Sequence, residues 1–386
     1  MSYLFPFIIT LLITIPAVLA IKAIAIKYNI VDEPSIAPYR RIHLKSLPLL
    51  GGIAIFMAFF IVLGYYVFFT QRIIFSDSSI LLKHIIGIFI GGSILIIGGV
   101  LDDKYNLKPS RQIIFPILAT IIVIISGLGI KYITNPFGGI IQLDIYKLIL
   151  FKFKGIPYMI SLPSDIITFF WILGMIYTTK LLDGLDGLTT GITIIGAIVI
   201  FLASFSKFYV VPQVALMSII LAGACIGFLF FNFNPAKIFL GEGGSTLCGF
   251  LLASLAILSQ GKIAVTLLVM GIPLLDVVWV IFRRFWNSGM VLKADRKHQI
   301  VSPLNKGGLR GVLKADRKHL HHRLLDIGFS HRGAVIFLYC IIGVFGITSL
   351  FLQSRGRGMA LVGLILFMAI LGMWVVRRYQ RNNFKF

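Results

Sequence analysis

Two aspartates three residues apart, Asp183 and Asp186, stand in the run KLLDGLDGLTTG (180–191), where an apolar segment meets two carboxylates and three glycines. At that spacing the two acids share a helical face, and Gly184 and Gly187 permit close backbone approach to a ligand. A charge at membrane depth is expensive and is usually kept where it faces a polar cavity, so this run reads as a site rather than an ordinary turn. Three more polar clusters lie beside apolar segments: LDDKYNLKP (101–109), NFNPAKIFLGEGGS (232–245) and DRKHLHHRLL (316–325). In the first, Asp102 and Asp103 diverge on a helix: one faces a metal or substrate while the other orients a neighbour, or both are solvated capping acids. In the second, Glu242 sits in a glycine-rich turn whose amides, with a helix starting at Ser245, favour an anionic phosphate. The glutamate would repel that phosphate without a cation between them, which points to Mg²⁺ or Mn²⁺. Phe239 is either a base-stacking ring or an interfacial aromatic. In the third, His319, His321, His322 and Arg323 form a cationic cluster suited to a phosphate or pyrophosphate. Zinc is the rival for these histidines, but no cysteine is near and the available carboxylates suit harder cations. A solvated basic loop is the other alternative. Five carboxylates and a cationic cluster fit metal-assisted phosphoryl transfer, and a bilayer-embedded acceptor would explain an embedded enzyme.

The elements that must position these residues are membrane spans. The chain has 386 residues, 58% of them hydrophobic, with mean hydropathy +0.97, a balance that excludes an ordinary soluble domain. Eleven apolar stretches are about long enough to cross a bilayer, at roughly 4–27, 49–70, 81–101, 112–130, 161–180, 187–204, 210–231, 245–259, 262–282, 333–352 and 358–376. The fifth and eighth are short. An all-α polytopic protein with ten or eleven transmembrane helices is the expected fold, as one integral-membrane domain covering residues 1–386. The first stretch lacks a basic leading region and is too long for a signal peptide. Cys225, Cys248 and Cys340 lie in apolar spans without metal-ligand spacing and read as packed thiols. The net charge of +22 raises nucleic-acid binding, but the basic residues sit in loops between spans and no nucleic-acid module is visible. Alternate loops carry about 25 and about 10 Lys and Arg, which by the positive-inside rule puts the N-terminus outside and the C-terminus in the cytoplasm. All four polar clusters then fall on the cytoplasmic side.

These motifs resemble the polyprenyl-phosphate N-acetylhexosamine-1-phosphate transferases over nearly the whole chain. The likeness runs from VDEPS (31–35) and RRIHLKSLPLLGG (40–52) through DDKYNLKP, DGLDGL, NFNPAKIFLGEGGS and PLLDVVWVIFRR (273–284) to DRKHLHHRLLDIGFSHR (316–332), in family order. The resemblance implies a bundle of ten or eleven helices in the bacterial inner membrane with a cytoplasmic site. It implies transfer of a sugar-1-phosphate from a UDP-N-acetylhexosamine to undecaprenyl phosphate, with UMP leaving, and is compatible with a homodimer. By motif, Asp102 or Asp103 would deprotonate or assist the acceptor, and Glu242 with Asp183 would hold Mg²⁺ or Mn²⁺, with Asp186 beside them. Asn232 and Phe239 would meet the uridine, and Lys45, His321, His322 and Arg323 the phosphates, with His319 beside them. HLHHRLL looks like the branch that starts teichoic-acid, O-antigen and related lipid carriers, which favours UDP-N-acetylglucosamine. The muramoyl-pentapeptide branch is the alternative enzyme.

Three features depart from the family pattern. Glu242 stands where an aspartate is usual. Lys180 stands where an asparagine is usual, three residues before Asp183, and is expected to pair with Asp183 or a phosphate; Tyr177 likewise replaces an asparagine. The sequence VLKADRKH occurs at 291–298 and again at 312–319, so the loop 283–332 carries a 21-residue duplicated insert at about 291–311 that a flexible loop tolerates at small entropic cost. Asp276, inside the ninth stretch, is expected to pair with Arg283 two turns on, in a structural or substrate-groove role. A polytopic transporter and an inactive family member are the competing readings; a transporter would set its acids nearer the span centres and often show inverted repeats.

Overall fold

The computed structural model describes residues 3–32, 46–70, 80–135, 139–153, 156–206, 209–259, 263–295, 319–352 and 354–383. Lys45 and most of the duplicated region, 296–318, lie outside the described residues. The helices are α1 (Leu4–Lys27), α2 (Gly51–Phe68), α3 (Leu82–Tyr105), α4 (Pro109–Gln112), α5 (Ile114–Ile125), α6 (Ser164–Leu182) and α7 (Leu188–Ala203). They continue with α8 (Pro212–Asn232), α9 (Gly241–Leu258), α10 (Ile263–Asp295), α11 (Leu320–Asp326), α12 (His331–Phe351) and α13 (Ser354–Asn383). The protein is a helical, multi-pass membrane protein: among the described residues nine helices are long and apolar enough to cross a bilayer. Two further apolar helices, Pro109–Ile125 and Leu188–Ala203, are shorter.

The two shorter helices are the fourth and sixth expected stretches, not the fifth and eighth. The fourth leaves the helix after Ile125, where Gly127 takes φ +91°. The sixth falls within one residue of expectation at each end and is bounded at its start by Gly187, which caps α7 at φ +81° in the left-handed region, a conformation glycine adopts without steric penalty. The helical class holds, with four small two-stranded antiparallel sheets added among the described residues. The largest pairs Tyr146–Phe153 with Ile156–Leu162, setting Tyr146 opposite Leu162. Its signal was present in the sequence as Lys-Gly between two apolar and aromatic runs.

α9 is the central helix. Its span is 94% buried, against 17% for the last span, and it packs on α2, α3, α6 and α7. Small residues permit this closeness. A Cβ at Gly52 on α2 would overlap the backbone of Gly244, and one at Gly99 on α3 would overlap Gly243. The start of α9 is thereby wedged between α2 and α3. Cys225 and Cys248 are buried on α8 and α9, whereas Cys340 is exposed on α12, which corrects its reading as a packed thiol.

Helix direction alternates along the chain, so one end of the bundle collects the C-terminal ends of α1, α3, α6 and α8. The N-terminal ends of α2, α7, α9 and α12 meet them there, and all of these ends line or border one cavity.

Candidate active site

The cavity encloses about 1070 Å³ and is walled by residues from every one of those ends. Asp102, Asp103, Lys180, Asp183, Asp186, Asn232, Phe239, Glu242 and His322 all line it. The fold thus brings together four motifs that are up to 220 residues apart in the chain (Asp102 to His322). His331 and Asn234, not singled out from the sequence, also line it.

The two acids at the end of α3 do different things. Asp102 Oδ1 accepts from the Leu107 N–H and from Gln112 Nε2, both at 2.8 Å, so it closes the turn that leaves the helix. Asp103 Oδ1 accepts from the Glu242 N–H at 3.1 Å, tying α3 to the start of α9. Its second oxygen is buried and, among the described residues, is the sole buried carboxylate oxygen without a hydrogen-bond partner. Such an atom is costly unless a ligand meets it. Gly241 holds φ +76° beside that oxygen, and a Cβ there would press on it.

The loop after α6 is fixed largely through its second acid. Asp186 Oδ2 accepts from Asn234 Nδ2 at 2.9 Å and the Ala236 N–H at 3.1 Å. Its own N–H donates to His331 Nε2 at 2.9 Å. Asn232, expected at the uridine, is engaged on both ends of its amide. Its oxygen accepts from the Gly187 N–H at 3.2 Å and the Thr190 hydroxyl at 2.9 Å, and its Nδ2 donates to the Ile238 carbonyl at 3.1 Å. Asp186 and Asn232 therefore hold the DGLDGL loop against the 233–240 loop. Asp183 points into the cavity. Restricted hydration there, then the Glu242 and Asp186 carboxylates, push its pKa up to about 7. Phe239 is half-buried in the wall, and its backbone joins the loop to α2 through Pro48 and Gly51.

Lys180 does not pair with Asp183 as expected. Its ammonium forms an ion pair with Glu242 and donates to Gln112 Oε1 at 3.1 Å. Gln112 was not singled out from the sequence; it lies 68 positions away, and no local signal marks it. The Mg²⁺ or Mn²⁺ expected at Glu242 and Asp183 does not fit this arrangement, because the Glu242 carboxylate is already engaged by a cation. Among the described residues no group of three or more His, Cys, Asp or Glu is set to hold a metal ion.

The histidine motif is α11 with its cap. Asp276 on α10 holds it: His319 Nδ1 stands 2.8 Å from Asp276 Oδ2, and the Leu320 N–H donates to Asp276 Oδ1 at 3.0 Å. Asp276 is thus an anchor for the motif; its expected partner Arg283 has a side chain outside the described residues. His321 is buried, its ring stacked on His319 at 5.7 Å and tilted to His322 at 4.4 Å. Burial, then the neighbouring His322, His319 and His331, hold its pKa well below the ordinary histidine value. His321 is therefore a neutral packing group rather than part of a cationic cluster, and its Nε2 faces Gly184 so closely that a Cβ there would collide. His319, His321 and Arg323 stand outside the cavity lining, and His322 alone of the four reaches it.

A helical multi-pass membrane protein with a carboxylate-rich cavity joining the ends of its spans is the class that fold and site define. The sequence profile of Glycosyl transferase family 4 matches residues 85–260. The chain is 30% identical, over 376 residues, to a probable undecaprenyl-phosphate N-acetylglucosaminyl 1-phosphate transferase of Bacillus subtilis (strain 168), covering 96% of this chain and 90% of the relative. It is 28% identical, over 367 residues, to the decaprenyl-phosphate N-acetylglucosaminephosphotransferase of Mycolicibacterium smegmatis, covering 91% and 82%. An undecaprenyl-phosphate alpha-N-acetylglucosaminyl 1-phosphate transferase of Yersinia pestis is 24% identical over 344 residues, covering 84% and 79%. The chain belongs to glycosyl transferase family 4.

Proposed function

We propose that this protein transfers N-acetylglucosamine-1-phosphate from a UDP-sugar to undecaprenyl phosphate in the bacterial inner membrane, with the cavity on the cytoplasmic side. The single observation that carries the reading is the unpartnered, buried Asp103 oxygen inside a cavity built from the ends of membrane helices. A lipid phosphate reaches such a place from the bilayer, and a sugar nucleotide reaches it from water. The charge bias of the loops supports the orientation, and near-full-length likeness to sugar-phosphate transferases supports the reaction class.

In this reading Asp103 takes a proton from the acceptor phosphate and holds it in line. An acceptor phosphate oxygen attacks the sugar-bearing β-phosphorus of the nucleotide. The new diphosphate bond forms as the bond from the β-phosphorus to the bridging oxygen breaks, and UMP leaves with that oxygen. His322 faces the diphosphate, and Phe239 offers its ring to the uracil. Asp102, Asp186 and Asn232 keep these groups in register. Lys180 holds the Glu242 carboxylate.

Membranes containing the protein, given undecaprenyl phosphate and radiolabelled UDP-N-acetylglucosamine or UDP-N-acetylgalactosamine, test the proposal. Label should pass to the lipid phase with equimolar UMP, faster from UDP-N-acetylglucosamine. Absence of lipid-linked label from either donor would overturn it, as a transporter or an inactive relative would give.

A further inference from the structure

Lys180 lies in the last turn of α6, one turn before Asp183, and three elements converge on its ammonium. Glu242 from α9 pairs with it, and Gln112 Oε1 from α4 accepts a hydrogen bond from it at 3.1 Å. The Tyr177 ring, one turn back on α6, lies 5.8 Å away. Gln112 is itself oriented, since its Nε2 donates to Asp102 Oδ1 at 2.8 Å and so turns its oxygen toward the lysine. The lysine and glutamate side chains are only 20% and 22% exposed, so water screens the pair weakly. An ammonium on a flexible stem has three donors and no acceptor, and two of the three are taken by Glu242 and Gln112.

We propose that Lys180 is a tethered cation occupying the place at Glu242 that a divalent metal would take, so that metal and lysine compete for this carboxylate. Its third donor is then turned to the diphosphate of the substrate. This last role rests on the transferase reading; the competition does not. A divalent ion binds through carboxylate oxygens shared with phosphate, and it cannot share Glu242 with an ammonium without like-charge repulsion. The lysine is covalently held, so its competition is intramolecular and does not fall as the protein is diluted.

Mn²⁺ titration of the purified full-length protein in detergent, followed by the loss of the free Mn²⁺ paramagnetic signal and without any substrate, reads the competition directly. Lys180→Met, which keeps the stem and removes the charge, should bind one Mn²⁺ at least tenfold more tightly than the wild type. The gain should vanish in Lys180→Met combined with Glu242→Gln. In the wild-type background Glu242→Gln should leave Mn²⁺ affinity unchanged, a measurement that needs no lysine variant to fold. Equal affinity for wild type and a folded Lys180→Met overturns the proposal, as does weakened Mn²⁺ binding in the single Glu242→Gln variant. Failure of the wild type to release UMP would instead remove the transferase reading and leave the competition result standing.

Discussion

At the scale of the residue, adjacency in sequence hides a division of labour. Asp102 and Asp103 are neighbours, yet one closes a turn and the other keeps a buried oxygen free. Asp103→Asn should lower UMP release by ~100-fold or more, the usual loss of a general base, while the bond to the Glu242 N–H persists and melting is little changed. Asp102→Ala should instead destabilise the protein by about 1–3 kcal/mol, from two lost charge-assisted bonds, seen as a lower melting temperature with UMP release down by less than ~10-fold. Asp183 gives the stability a pH dependence. Its pKa is raised to about 7, so the protonated form is favoured in the folded state; that contribution is full below the ordinary carboxylate pKa and is lost as pH rises through about 7. Asp183→Asn should flatten this loss in thermal melts taken across that range. Gly184 is constrained by the ring beside it. Gly184→Ala must displace buried His321, and a loss of about 1–3 kcal/mol from overpacking is expected in thermal melts.

At the scale of the element, the site depends on short segments that cannot hold themselves. α11 has seven residues, far below the length at which a helix is stable alone, and Asp276 supplies its anchor from α10. Asp276→Ala should free α11 and lower UMP release by ~10-fold or more through misplacement of His322. Asp276→Asn, which keeps an acceptor for the Leu320 N–H, should recover part of that loss, and helical content by far-ultraviolet circular dichroism should be the same in both. If the alanine variant keeps full activity, the anchor is irrelevant to the site. The glycine pairs between α9 and its neighbours play the same part for Glu242. They let three helices approach closely enough for a backbone N–H on one to reach a carboxylate on another.

At the scale of the molecule, the alternation of helix direction gathers the motifs at one end, and the duplicated insert tests how far that arrangement tolerates extra chain. Deleting Val291–Gly311 joins Met290 to Val312 and restores VLKADRKH in place. Because added loop length costs only about 0.6 kcal/mol per doubling, the shortened protein should release UMP within about twofold of the parent. A much larger gain would mean that the insert impairs the site.

The sequence by itself determined the membrane class, the motif order and the charged residues at the centre of the cavity wall. Each of these rests on local composition, on the length of apolar runs, or on short spacings such as DGLDG. The hairpin at 146–162 was not anticipated, although its apolar and aromatic runs are a local signal. Partnership was not legible. That Lys180 pairs with Glu242 rather than Asp183, that Gln112 orients it, and that His321 is neutral were decided by tertiary structure alone. So was the assignment of Asp276 to the histidine motif across 43 positions. The physical reason is that these roles depend on which groups share a desolvated space, and packing glycines and helix direction set that space, whereas sequence spacing fixes faces only within one element.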